Sequence, residues 1–124
     1  MLVQLALIAV AGAAGALLRY GVSRLVQPVG GATFPAGTLA VNLTGSLAIG
    51  FLATFLLERT TVSAEVRTGV LVGLIGSYTT FSTFGFETLE LMNDGEWTYA
   101  ALNVAFSVAG ALVAVWAGQT LARL

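Results

Sequence analysis

Gly76-Ser77-Tyr78-Thr79-Thr80-Phe81-Ser82-Thr83-Phe84 is the stretch on which the fold turns. It lies in an apolar segment of membrane-spanning length, yet it opens on a glycine and is crowded with Ser and Thr. Lipid cannot satisfy backbone groups released from a helix. Irregular backbone at membrane depth must therefore face protein or a water-filled path. A span of this kind is more than an anchor, and it predicts a pore or a binding site within the bilayer.

The composition agrees. Of 124 residues, 57% are hydrophobic and 9% charged, with a mean hydropathy of +0.92. Soluble domains carry about 25% charged residues, so this chain cannot cover a water-facing surface. It contains no Cys and no His. That removes disulfides and thiolate chemistry, together with the commonest metal ligand and general base. The net charge of −1 comes with no basic patch, so no nucleic-acid partner is expected.

Charges fall in clumps that mark the spans. Leu2–Leu18, Gly37–Leu57, Thr68–Phe86 and Trp97–Ala122 are free of charge. Each approaches the about 17–25 residues that cross a hydrocarbon core. Four transmembrane helices are predicted, over residues 2–22, 37–57, 68–92 and 97–122, with the third broken near Gly76. The first lacks a basic leading segment, and Arg19-Tyr20 is a poor cleavage context, so it reads as a mature helix and not a signal peptide. Pro28, Gly30, Gly31 and Pro35 mark a turn-rich loop, and Asn93-Asp94-Gly95 a tight turn. The expectation is an all-α, single-domain, multi-pass protein of the cell membrane, with no soluble part.

Orientation is weakly encoded. Four spans place Arg59, Arg67 and Arg123 on one side and Arg19 and Arg24 on the other, and there is no Lys. The positive-inside bias nearly vanishes. Insertion in both directions followed by antiparallel pairing is one reading. A single orientation set by an early helix or by insertion machinery is the other. Small residues fill the spans, with Gly69 and Gly73 in a G-x-x-x-G that lets helices approach closely. Any one glycine is explained by packing within the monomer, whereas the total favours a homo-oligomer.

Polar residues within the spans are patterned. Thr38, Asn42 and Ser46 are spaced by four and share a helix face, as do Asn103 and Ser107. Phe81 and Phe84 form an aromatic stripe beside the hydroxyl stripe of Thr80 and Thr83. Each has a plain structural explanation: hydroxyls that bond back to their own helix, Asn as glue between helices, Phe as core. Their coincidence on neighbouring helices points to a site. All six acids sit in or beside predicted loops, whereas coupled pumps rely on an intramembrane carboxylate. Neutral N–H and O–H donors suit an anion, as do aromatic ring edges, which are weakly positive. The absence of a fixed cation in the span allows the ion to leave.

Three motifs then resemble the CrcB/Fluc family of fluoride channels across nearly the whole chain. They are Gly12-Ala13-Ala14-Gly15-Ala16-Leu17-Leu18-Arg19-Tyr20, Gly37-Thr38-Leu39-Ala40-Val41-Asn42-Leu43-Thr44-Gly45, and Gly76 to Phe84. The resemblance implies a dual-topology, antiparallel homodimer with two pores that export cytoplasmic fluoride passively. It makes Phe81 and Phe84 a pore-lining "Phe box", and Asn42 and Thr38 pore donors. Ser82, Thr83 and Ser107 join the polar lining, and Arg19 lies near a pore mouth or anchors the interface. It also implies a structural Na⁺ at the dimer interface, bound through the backbone carbonyls of Gly76 and Thr79. Asn103 stands where the family often has Tyr, which leaves its role open. A small dual-topology multidrug exporter is the alternative, but it needs a mid-membrane carboxylate in the first span, and Leu2–Leu18 has none. A non-transporting assembly subunit would not explain the Asn and Phe constellation. An intramembrane enzyme lacks a catalyst.

Overall fold

A computed structural model describes residues 1–124. It is wholly helical, with four helices long and apolar enough to cross a membrane: Leu2–Gly30, Ala36–Glu58, Ala64–Asn93 and Trp97–Arg123. The first is α1 (Leu2–Val26) extended by a 3-10 turn, Gln27–Gly30. The second is α2 (Ala36–Glu58). The third runs through α3 (Ala64–Thr68), a π-helical segment (Gly69–Ile75), α4 (Gly76–Tyr78) and α5 (Phe81–Asn93). The fourth is α6 (Trp97–Arg123).

The ends of these helices follow local chemistry. Ser63 caps α3 by accepting from the Val66 N–H at 3.4 Å, with Glu65 in the first turn where the helix dipole favours an acid. The helix therefore begins before the charge-free run at Thr68. Gly95 ends the Asn93-Asp94-Gly95 turn at φ 79°, in the left-handed region that favours glycine. Gln27 secures the loop after α1. Its Nε2 donates to the carbonyls of Gly31 and Phe34, and its Oε1 accepts from the Gly37 N–H.

The packing is that of a protein whose solvent is lipid. The buried apolar residues are only Val41, Ile75, Leu91, Ala100 and Ala122, while most Leu, Val, Phe and Trp side chains face outward. Without a hydrophobic drive between helices, close backbone approach and hydrogen bonds hold the bundle. α2 packs mainly on α6, and α1 on the π-helical segment. Gly50 and Gly118 make the α2–α6 contact possible. A Cβ on Gly50 would meet the Val115 backbone, and one on Gly118 would meet Leu47 O and the Phe51 N at 2.7 Å. The G-x-x-x-G pair packs within the chain, Gly69 against Leu7 and Gly73 against Ile8 and Ala11.

This packing predicts a contrast between two glycines. Gly118→Val forces side-chain atoms into the α2 backbone and lowers stability by about 1–3 kcal/mol, the usual cost of overpacking. Gly21→Ala has no neighbouring atom within 4 Å and raises stability by about 0.5–1 kcal/mol, since Ala loses less entropy in a helix. Thermal unfolding in detergent reads both. A Gly118→Val protein as stable as the parent would refute the close approach of α2 and α6.

Candidate functional site

Two residues of the third span leave helical geometry. Thr79 has φ −82° and ψ 158°, and Thr80 has φ −148° and ψ 116°. The main chain released there is met by one side chain. Asn42 Nδ2 donates to the Thr80 carbonyl at 2.8 Å, and the Thr80 N–H donates to Asn42 Oδ1 at 2.7 Å. An amide offers both a donor and an acceptor in this fork without carrying charge. Gly45, one turn along α2, lets the segment lie close enough for this. A Cβ there would collide with the Thr79 methyl and approach Tyr78 Cδ1 at 3.1 Å.

The clamp changes the bonding on either side. In a continuous α-helix the Thr80 N–H would bond to the Gly76 carbonyl, and the Thr83 N–H to that of Thr79. Here the Thr80 N–H goes to Asn42, and the Thr83 N–H goes to Thr80 Oγ1 at 3.3 Å. Thr80 thus caps α5, and its hydroxyl proton goes to Thr83 Oγ1 at 2.9 Å. The Gly76 and Thr79 carbonyls are left without their helical donors.

Thr80 lines two cavities. One, of about 420 Å³, is lined by Asn42, Ser46, Gly76, Thr79, Phe81, Phe84 and Ser107 among others. The Phe81 and Phe84 rings lie 5.6 Å apart at 40°. Phe81 is 82% exposed, which is unusual for a core aromatic. The Ser107 hydroxyl is buried with no hydrogen-bond partner in the chain. The other cavity, of about 580 Å³, is lined by Arg19, Tyr20, Ser23, Arg24, Thr38 and Thr83 among others. Arg19 forms no ion pair there. Arg24 donates to the Tyr20 hydroxyl at 2.9 Å and packs over its ring. Thr80 lines both cavities, and neither lining contains an acid.

The structure therefore brings together Asn42, Thr79, Phe81, Phe84, Ser107 and Gly76, and places Arg19, Thr38 and Thr83 in the adjoining cavity. Ser82 is exposed and lines neither. Asn103 lines neither as well: it is 1% exposed and donates to Thr88 Oγ1 at 2.9 Å. Glu87 lies midway along α5 and beside the loop after α1, where it lines a third cavity with Gln27, Ala32, Thr33 and Pro35. Thr38 Oγ1 donates to Glu87 Oε1 at 2.9 Å, while Oε2 is buried without a partner. Gly45 joins the site without being a candidate from sequence, although a glycine one turn from Asn42 is the signal for a close approach there.

These features define a class: an integral membrane protein with acid-free, donor-rich cavities around an interrupted helix hydrogen-bond pattern. The family model described as "CrcB-like protein, Camphor Resistance (CrcB)" matches residues 6–119, and the chain belongs to that family. Among relatives called "Fluoride-specific ion channel FluC", the one from Methylococcus capsulatus is 51% identical over 116 residues, covering 94% of this chain and 51% of that protein. The chain thus spans about half of that relative's length. The Geobacter sulfurreducens protein is 47% identical over 116 residues, with 94% of each chain covered. The Coxiella burnetii protein is 46% identical over 111 residues, covering 89% of this chain and 90% of that one.

The clamp is testable without a functional assay. Asn42→Leu leaves the Thr80 N–H and C=O unpaired at a cost of about 1–3 kcal/mol for each group, and amide exchange at Thr80 should accelerate. Asn42→Asp keeps an acceptor for the N–H and should preserve slower exchange. Equal exchange in the parent and the Leu variant would mean that Asn42 does not hold the segment.

Proposed function

We propose that the chain is a fluoride-selective channel that exports cytoplasmic fluoride passively. The observation that carries this reading is that Thr80 lines two acid-free cavities, one with unpaired Arg19 and the other with the Phe pair. The names of the relatives support the choice of ion. Fluoride enters acidified cells as neutral HF and ionises inside. A membrane potential negative inside then drives the anion out through any open path, with no coupled energy source.

In this reading Arg19 raises the local anion concentration at the mouth. The Thr83 hydroxyl, whose own proton is uncommitted, and Ser82, one residue earlier on α5, replace part of the water shell, whereas the Thr38 proton is given to Glu87. Asn42 uses one Nδ2 hydrogen on Thr80 and retains a second for the ion. The edges of Phe81 and Phe84 offer weak positive potential, and Ser107 offers a hydroxyl with no partner in the chain. Donors that are neutral and individually weak let the ion enter and leave, as conduction requires.

The proposed assembly is a dual-topology antiparallel homodimer with two pores in the cell membrane. It is supported by the balanced Arg distribution and by the outward Phe81, which needs a partner surface to close around it. A Na⁺ at the dimer interface fits the residues present. The Gly76 and Thr79 carbonyls have lost their helical donors, and neutral oxygens suit a hard cation. Bound there, the cation would supply positive charge that ties the interrupted segments of two subunits. A coupled exporter is disfavoured. The half-buried carboxylate, Glu87, lies on α5 and not α1, and lines neither cavity.

Reconstituted protein should release fluoride from liposomes rapidly while chloride is retained, as followed with ion-selective electrodes. Phe84→Leu removes an aromatic edge and should slow fluoride release about tenfold, the upper range of a single aromatic contact. Loss of both ions at equal rates, or of neither, from folded protein would rule the reading out.

A further inference from the structure

Asn103 lies outside both cavities, yet it is among the most buried polar side chains, at 1% exposure. Its Nδ2 donates to Thr88 Oγ1 at 2.9 Å, and that hydroxyl donates to the Phe84 carbonyl at 2.7 Å. The chain of bonds runs from α6 through Thr88 to the main chain of the residue whose ring lines the first cavity. α5 has few other restraints. Phe81, Phe86 and Leu89 are exposed, and the apolar residue it buries is Leu91, near its C-terminus. The other polar ties are Asn42 at the N-cap and Thr38 on Glu87, and both come from α2. Only the Asn103 bond fixes α5 by side-chain hydrogen bonding to α6, the helix that carries Ser107.

We infer that Asn103 is a positioning residue, not an ion ligand. Through Thr88 it sets the rotation and height of α5 against α6, and hence the placement of the Phe84 ring relative to Ser107. The inference rests on the channel reading for its functional consequence. Thr88 is the necessary intermediate. Its hydroxyl has one proton, given to Phe84, and lone pairs that accept from Asn103. Loss of either partner therefore breaks the same tie. A residue acting directly on the ion would not depend on Thr88.

The test is a double-mutant cycle on flux. Asn103→Leu, Thr88→Val and the double variant are reconstituted as gel-filtered, folded protein, and fluoride and chloride release are measured per folded protein. Each single variant should slow fluoride release about threefold, the size of a typical interhelical hydrogen bond in membranes. The double variant should be no slower than either one. Thr88→Ser keeps the hydroxyl and should restore the parental rate. Multiplicative losses in the double variant would overturn the inference in favour of an independent ion contact by Asn103. Unchanged flux in both single variants would overturn it in favour of a purely structural bond. A parent protein that conducts no fluoride would fail the channel reading itself, and this role with it; a conducting parent separates the two.

Discussion

The Asn42 clamp on the Thr80 main chain is the interaction on which the rest depends. A membrane span can leave helical geometry only if every released backbone group finds a partner inside the protein. Here one neutral amide serves both groups of Thr80. A carboxylate could not donate, and a hydroxyl could not reach both groups in a fork. The clamp lets α5 begin anew at Phe81, with its own cap, within the third membrane-length span. It also strips the Gly76 and Thr79 carbonyls of their helical donors.

The clamp requires proximity, and small residues provide it. Gly45 removes the side chain that would hold Thr79 away from α2. Gly50 and Gly118 bring α6 onto α2, so that Ser107 shares a cavity with Asn42. Gly69 and Gly73 seat the π-helical segment on α1, which carries Arg19 to the second cavity. In lipid, van der Waals contact between backbones replaces much of what a hydrophobic core does in water. The glycines are therefore part of the site as well as of the fold.

Charge is managed by placement. Arg19 and Arg24 border the second cavity while acids are kept out of both linings. Glu87, on α5 beside the loop after α1, accepts on one oxygen from Thr38. Arg123 pairs with Glu58 in the open, at 2.9 Å, where such a pair contributes little. Thr38 thus links two parts of the molecule. It lines the basic cavity and at the same time bonds to the nearest acid.

Much was legible in the sequence because membranes impose simple rules. Charge-free runs of fixed length gave four helices, and Asn-Asp-Gly gave its turn. The third motif marked where helical geometry lapses, because glycine and clustered hydroxyls are poor company for lipid. Spacing by four put Thr38, Asn42 and Ser46 on one face. Partner choice was not legible, since it depends on how helices rotate against each other. Asn103 and Ser107 share a helix face in sequence, yet one is spent on Thr88 while the other opens into a cavity. Asn42 reads as a free donor in sequence, yet most of its amide is engaged by Thr80. Glu87 reads as an acid beside a loop, and only the structure shows that a hydroxyl from α2 donates to it. Sequence by itself determined the number of spans and their apolar character, because these are properties of single helices in lipid. Tertiary structure alone decided which polar groups satisfy the protein and which remain for a ligand, because a hydrogen bond between helices exists only once their backbones are close.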